Sequence, residues 1–189
     1  MHTHDDRLVL TQPSVAPKTS QGVTTVVTGN CGVSLAPFTA GCRAGEADPP
    51  GPMALLGGWA DYRFPTLADY NAALADSPAA INVASLIGHT TLRAGVMMDT
   101  FDEIVELAAC LKDFGALYTT HMRNEGPDLV ESVDETIDIA RRSGAATVIS
   151  HHKCVGRENW GKSHDSLAHI KAAQRDMTLD FDVYPYTAT

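Results

Sequence analysis

The chain has 189 residues, 44% of them hydrophobic and 20% charged, with a formal net charge of −9. That is the balance of an ordinary globular domain with room for a sizeable core. An acidic chain without a Lys/Arg cluster argues against nucleic acid and anionic membrane as partners, and no apolar run approaches a membrane span. With no secretory leader visible and no C-x-x-C pair among Cys31, Cys42, Cys110 and Cys154, a reducing, cytoplasmic compartment is expected.

The chain opens on Met1-His2-Thr3-His4, followed by Asp5 and Asp6. Residues two apart on an extended strand share a face, so His2 and His4 would form half of a metal site. Short apolar runs rich in β-branched residues predict strands at 23–28, 81–88, 116–121, 146–151 and 178–184, each buried on both faces or nearly so. Pro- and Gly-rich 41–58 reads as a loop or excursion. Amphipathic helices are expected between the strands. Thr66 caps one that closes at Ser77-Pro78. Thr100-Phe101-Asp102-Glu103 forms a capping box for a second, with Ile104, Leu107, Ala108 and Leu111 inward and Gly115 as its stop. Gly126-Pro127 opens a third, with Leu129, Val130, Val133, Ile137 and Ala140 inward and Gly144 at its end. Ser163 caps a fourth, with Leu167 and Ile170 inward. Strand alternating with helix implies right-handed βαβ units and a parallel sheet.

In parallel α/β folds chemistry gathers at the carboxyl ends of strands. Those ends carry Gly29-Asn30-Cys31, His121, His151-His152-Lys153 and Tyr184. Taken alone, Cys31 reads as a small buried hydrophobe. The glycines on both sides suggest a tight backbone position that presents a thiolate, and a thiolate between two cations would bridge them. His121 ends a strand, where it either ligates or closes a hydrogen-bond network. His151 and His152 are adjacent and face opposite ways on a strand, so at most one points inward. Lys153 shares the face of His151 and, as a point charge beside a metal, would suit an anionic substrate group; its bland alternative is a solvated lysine. His89 reads as a structural histidine, and His164 and His169 as exposed helix positions. Cys42, Cys110 and Cys154 have core or loop readings and receive no role. A G-x-S-x-G elbow, a P-loop and G-x-G-x-x-G are all missing, which leaves metal-assisted hydrolysis.

Five motifs in this order resemble the D-aminoacylases, N-acyl-D-amino-acid deacylases of the amidohydrolase superfamily. They are His2-Thr3-His4-Asp5-Asp6, Gly22–Val27 leading into Gly29-Asn30-Cys31-Gly32, Thr119–Glu125, Ile149–Cys154, and Tyr184-Pro185-Tyr186. The resemblance implies an α/β fold of the TIM-like (β/α)8 metal-dependent hydrolase type. It also implies zinc-dependent cleavage of N-acyl-D-amino acids to a carboxylate and a free D-amino acid. Carried over by residue, His2 and His4 would hold a weaker or second metal, and Cys31 would ligate the tight zinc and can bridge both. His121 and His151 would complete the tight site, while Lys153 and Tyr184 would hold the substrate carboxylate. Whether one metal or two are held, and the oligomeric state, stay open.

Three departures from the family pattern shape the expectation. The family has a β-rich segment before His2. Its general-base aspartate and a carboxylate-binding arginine lie later than Thr189, so no catalytic base is assigned here. Between Arg93 and Thr100 roughly 30 residues, about one β/α unit, are missing by barrel proportions. The expectation is therefore a single incomplete catalytic barrel domain over 1–189 with several units missing, inactive by itself as either an open part-barrel or a fragment. Two alternatives stand beside it. One is a cyclic amidase of the hydantoinase or dihydroorotase kind, which would carry a carboxylated lysine where this chain has Cys31. The other is a non-catalytic zinc-binding remnant.

Overall fold

A computed structural model of the chain describes residues 2–38, 48–49, 51–96 and 101–184. The chain divides into two compact units, Met1–Met98 and Asp99–Thr189. Among the described residues, every strand pair is parallel.

In the first unit the elements run α1 (Leu8–Thr11), α2 (Ala16–Thr19), β1 (Thr25–Thr28), α3 (Leu67–Asp76), β2 (Asn82–Ser85) and α4 (His89–Val96). The described part of the expected 41–58 excursion winds into a 3-10 turn at Gly51–Leu56, and a second turn follows at Trp59–Asp61. β1 and β2 pair with Thr25 opposite Asn82. Val9, Val26, Val33, Leu35, Met53 and Leu56 fill the core. Buried Tyr62 donates its hydroxyl to the Met53 carbonyl at 2.6 Å, so its polar tip is satisfied inside that core.

Helix α3 starts where Thr66 was expected to cap it. The Thr66 hydroxyl accepts from the Asp69 N–H at 3.1 Å, and the Asp69 carboxylate accepts from the Thr66 N–H at 2.9 Å. Thr66→Ala removes one half of this reciprocal cap and is expected to cost about 1 kcal/mol. Thermal melting of the variant measures it; an unchanged midpoint would show that the cap carries no stability.

In the second unit the order is α5 (Phe101–Lys112), β3 (Leu117–Thr120), α6 (Leu129–Ser143), β4 (Ala146–Ile149), α7 (Ser163–Ala173) and β5 (Leu179–Phe181). The sheet order is β3-β4-β5, with β4 central. Met122, Leu129, Val133, Ile149, Ile170 and Leu179 pack between helices and sheet.

The five expected strands all form, each shorter than its apolar run. They are not uniformly buried on both faces. Leu117 on β3 and Phe181 on β5 are exposed, while central β4 buries Thr147 and Ile149. In this sheet β3 and β5 are edges, and an apolar run does not reveal which strand has a neighbour on each side.

Helix faces show similar shifts. On α5 the buried positions are Val105 and Ala108, flanked by Ile104 and Leu111, while Leu107 is 43% exposed. The apolar stripe is rotated by about one position because α5 packs on α6. On α6 the expected apolar face is buried except for half-buried Val130, and it widens to include Ser132, Thr136 and Ser143. Thr136 donates to the Ser132 carbonyl at 3.0 Å, which satisfies its hydroxyl within the helix.

Ser163 does not cap α7. The 3-10 turn Arg157–Lys162 runs directly into the helix, and the Ser163 hydroxyl donates to the Trp160 carbonyl at 3.1 Å. Leu167 is exposed, and the inward face carries Ser166, Ile170 and Ala173. The proposed Thr100 cap and Cys42 lie outside the described residues.

Candidate metal centre

In the first unit the chain start runs parallel to β1. His2 bridges Val27, and the Thr3 N–H donates to the Val27 carbonyl at 3.3 Å. Thr3 is buried, and the rings of His2 and His4 lie 5.7 Å apart. The alternation that predicted a shared His face therefore holds.

After β1 the chain turns sharply, with positive φ at Gly29, Cys31 and Gly32. Cys31 adopts φ 55°, a left-handed conformation that non-glycine residues rarely take and that clusters at functional sites. The Asn30 amide donates to the Thr3 carbonyl at 2.9 Å and so ties the turn to the chain start. The Gly29 N–H donates to the Asp6 carboxylate at 3.1 Å. Burial pushes the Asp6 carboxyl up to about 6, against the opposing pull of the Gly29 N–H and the nearby His4.

These ties place Cys31 Sγ 3.4 Å from His2 Nε2. The donor atoms of His2, His4 and Cys31 all lie within 4.8 Å of one another. Tetrahedral zinc with nitrogen and sulfur ligands sets neighbouring donors roughly 3.3–3.6 Å apart. The Cys31–His2 separation already matches such an edge. Two imidazoles and a thiol are a donor set of the kind zinc takes.

In the second unit His121 follows β3 and His151 follows β4. His121 Nδ1 and His151 Nε2 are 2.9 Å apart, and the rings meet edge to face at 4.5 Å between centroids. That is closer than a tetrahedral edge, so a shared metal would require the pair to open by roughly 0.5 Å.

His151 also sits at positive φ, 40°. The segment after β5 holds it there. The Asp182 carboxylate accepts the His151 N–H at 2.6 Å, and the Asp182 carbonyl accepts the His152 N–H at 2.9 Å. The two adjacent histidines do diverge, as expected, but through this bend beyond the strand rather than through strand alternation. His152 is turned to α7, where its Nε2 lies 3.0 Å from the Ser166 hydroxyl, and burial lowers its pKa.

Lys153 Nζ lies 2.9 Å from His151 Nδ1 and 5.5 Å from the centroid of the Tyr184 ring. It also donates to Glu125 Oε1 at 2.5 Å, and the same oxygen lies 2.9 Å from His151 Nδ1. Burial alone would raise the Glu125 carboxyl. The hydrogen bonds from His151 and Lys153 and the charge on Lys153 outweigh it, so its pKa falls below the ordinary value. The sequence does not single out Glu125, and it reads Asp182 only as a strand carboxylate that is not the general base. Glu125 stands in one of the quoted motifs, yet only the fold sets it against His151.

Among the described residues the other histidines belong to neither donor group. His89 opens α4, and His164 and His169 are exposed on α7. His169 pairs with Asp134 at 2.6 Å. Cys110 is exposed and Cys154 half-buried, each a free thiol.

No family model matches the chain. It is 40% identical to the D-aminoacylase of Alcaligenes xylosoxydans xylosoxydans, in an alignment covering 99% of the chain and 46% of that protein. The chain is related along its whole length to the D-aminoacylase family. A solved D-aminoacylase, described as defining a novel subset of amidohydrolases, superposes with a TM-score of 0.90 at 38% identity, over 100% of this chain and 47% of that one. The N-acyl-D-glutamate deacylase of Bordetella bronchiseptica, solved with zinc and a phosphonate mimic of the tetrahedral intermediate, superposes with a TM-score of 0.87. It is 33% identical, over 98% of this chain and 46% of that one. The α/β fold is thus that of the D-aminoacylase amidohydrolases. The chain spans about half the length of the curated relatives it matches. The alignment with the Alcaligenes D-aminoacylase runs over 227 residues against 189 in the chain, so that relative carries residues between matched segments that the chain lacks. Among the described residues no helix is long and apolar enough to cross a membrane.

Proposed function

We propose that the protein carrying this chain is a zinc amidohydrolase that cleaves the amide of N-acyl-D-amino acids, releasing a carboxylate and a free D-amino acid. In this reading residues 1–189 form part of one (β/α)8 barrel domain. Its zinc ligands are His2, His4, Cys31, His121 and His151. Cys31, His121 and His151 belong to the tight ion; His2 and His4 belong to a second, weaker one. The observation that carries the proposal is the donor cluster of His2, His4 and Cys31, within 4.8 Å, on motifs shared along the whole chain with the D-aminoacylases.

Zinc bound there would polarise the amide carbonyl and acidify water. The chain's own residues supply position and charge. The Lys153 ammonium and Tyr184 receive the substrate carboxylate. Lys153 is already paired with Glu125 at 2.5 Å, so a substrate carboxylate enters by sharing that ammonium rather than by meeting a solvated charge. The substrate partner is accordingly a small N-acylated D-amino acid.

X-ray absorption on the zinc-loaded chain tests the ligand set. A sulfur shell at about 2.3 Å beside nitrogen shells is expected. A shell of oxygen and nitrogen alone would favour the cyclic amidases and overturn Cys31 as a ligand. Release of D- but not L-amino acid from N-acetyl substrates by the protein carrying the chain tests the reaction.

A further inference from the structure

Glu125, His151 and Lys153 form a triangle. One oxygen, Glu125 Oε1, lies 2.5 Å from Lys153 Nζ and 2.9 Å from His151 Nδ1, while Lys153 Nζ is itself 2.9 Å from that same Nδ1. On the opposite edge of the ring, His151 Nε2 is 2.9 Å from His121 Nδ1. A neutral imidazole carries one proton on one of its two nitrogens. The triangle therefore admits two arrangements with opposite consequences.

In the first, Lys153 donates to Nδ1. The ring proton then sits on Nε2 and is donated to His121 Nδ1, so both ligand nitrogens are engaged with each other. In the second, Nδ1 carries the proton and donates it to Glu125, which leaves the Nε2 lone pair directed away from the carboxylate. Only the second arrangement suits a metal ligand, because a ligating nitrogen cannot keep its proton.

We propose that Glu125 is a positioning residue that selects the metal-competent tautomer of His151 while anchoring the Lys153 ammonium. It thereby links the zinc ligand to the group that meets the substrate carboxylate. The inference rests on the zinc reading above. Glu125 touches neither the reacting atoms nor the metal; it acts through His151 and Lys153. The strained backbone of His151 serves the same end, since the Asp182 carboxylate holds its N–H at 2.6 Å and fixes which ring edge faces Glu125.

The test uses the full chain labelled with ¹⁵N at histidine. Long-range ¹⁵N–¹H correlation reports the tautomer of each ring, and a zinc titration followed at His151 gives its affinity. Metal-free wild type is expected to hold His151 in the Nδ1–H form already, and to keep it as zinc binds. Glu125→Gln is nearly isosteric and is expected to retain the fold by circular dichroism. It should populate the Nε2–H form and bind zinc roughly 10- to 100-fold more weakly, the usual cost of losing an outer carboxylate partner. Glu125→Asp should recover part of the loss. If Glu125→Gln keeps both the wild-type affinity and the wild-type tautomer, the proposal is wrong while the zinc reading stands. If wild type shows no zinc response at His121 or His151, the zinc reading fails and takes this proposal with it.

Discussion

Replacing Cys31 with serine is expected to lower zinc affinity by more than about 100-fold, beyond the usual cost of losing an outer partner, because a direct thiolate ligand is removed. The fold should survive. Cys31 is only half-buried, and serine preserves its shape at φ 55°. The Asn30–Thr3 and Gly29–Asp6 hydrogen bonds that shape the turn do not involve the sulfur. Isothermal titration with zinc and a thermal melt without metal, made on the same samples, read both halves of this expectation. Loss of zinc with an unchanged apo melt marks a site built for chemistry. Unfolding of the apo variant would instead make Cys31 a core residue, and retained affinity would remove it from the ligand set. The comparison also separates the deacylase reading from a purely structural zinc module, in which metal loss and fold loss go together.

Gly29→Ala is expected to destabilise the first unit by about 3 kcal/mol. Gly29 has φ 78°, and a Cβ placed there would lie 2.3 Å from the Leu86 carbonyl oxygen and 2.8 Å from its carbon. Both are backbone atoms just past β2, so a side-chain rotation cannot relieve the clash. Left-handed strain costs about 1–3 kcal/mol and overpacking about 1–3 more. Gly22→Ala is the control. Its φ is 75°, almost the same, yet nothing lies within 4 Å of its added Cβ, so only the strain of roughly 1 kcal/mol applies. Urea unfolding followed by Trp59 fluorescence, with Trp160 replaced by Phe, measures both in the first unit. Equal losses would show that the approach to Leu86 is unimportant. Because Gly29 opens the turn that ends in Cys31, a disturbed Gly29→Ala should also bind zinc less well.

Local chemistry made much of the fold legible. Val, Ile and Thr clusters announced all five strands, and Thr66 announced a helix start, since these signals depend on neighbours within a few residues. The signals failed where a distant neighbour decided. Leu107 and Leu167 have the right spacing for a core face, yet packing of the adjacent helix turns the buried stripe away from them. Ser163 has the right chemistry for a cap, but the preceding 3-10 turn occupies the position a cap would fill.

The site divides along the same line. Residue types at strand ends marked His2, His4, Cys31, His121, His151 and Lys153 as candidates, and the resemblance to the D-aminoacylases supplied their roles. What tertiary structure alone decided was which groups hold those side chains. Asp182 bends His151 out of the strand path, Asp6 and Asn30 brace the Cys31 turn, and Glu125 stands between His151 and Lys153. Each is a carboxylate or amide indistinguishable in sequence from its surface counterparts. Its role arises only when the folded backbone brings it within hydrogen-bond reach of a partner 23 to 31 residues away, and burial makes that bond matter.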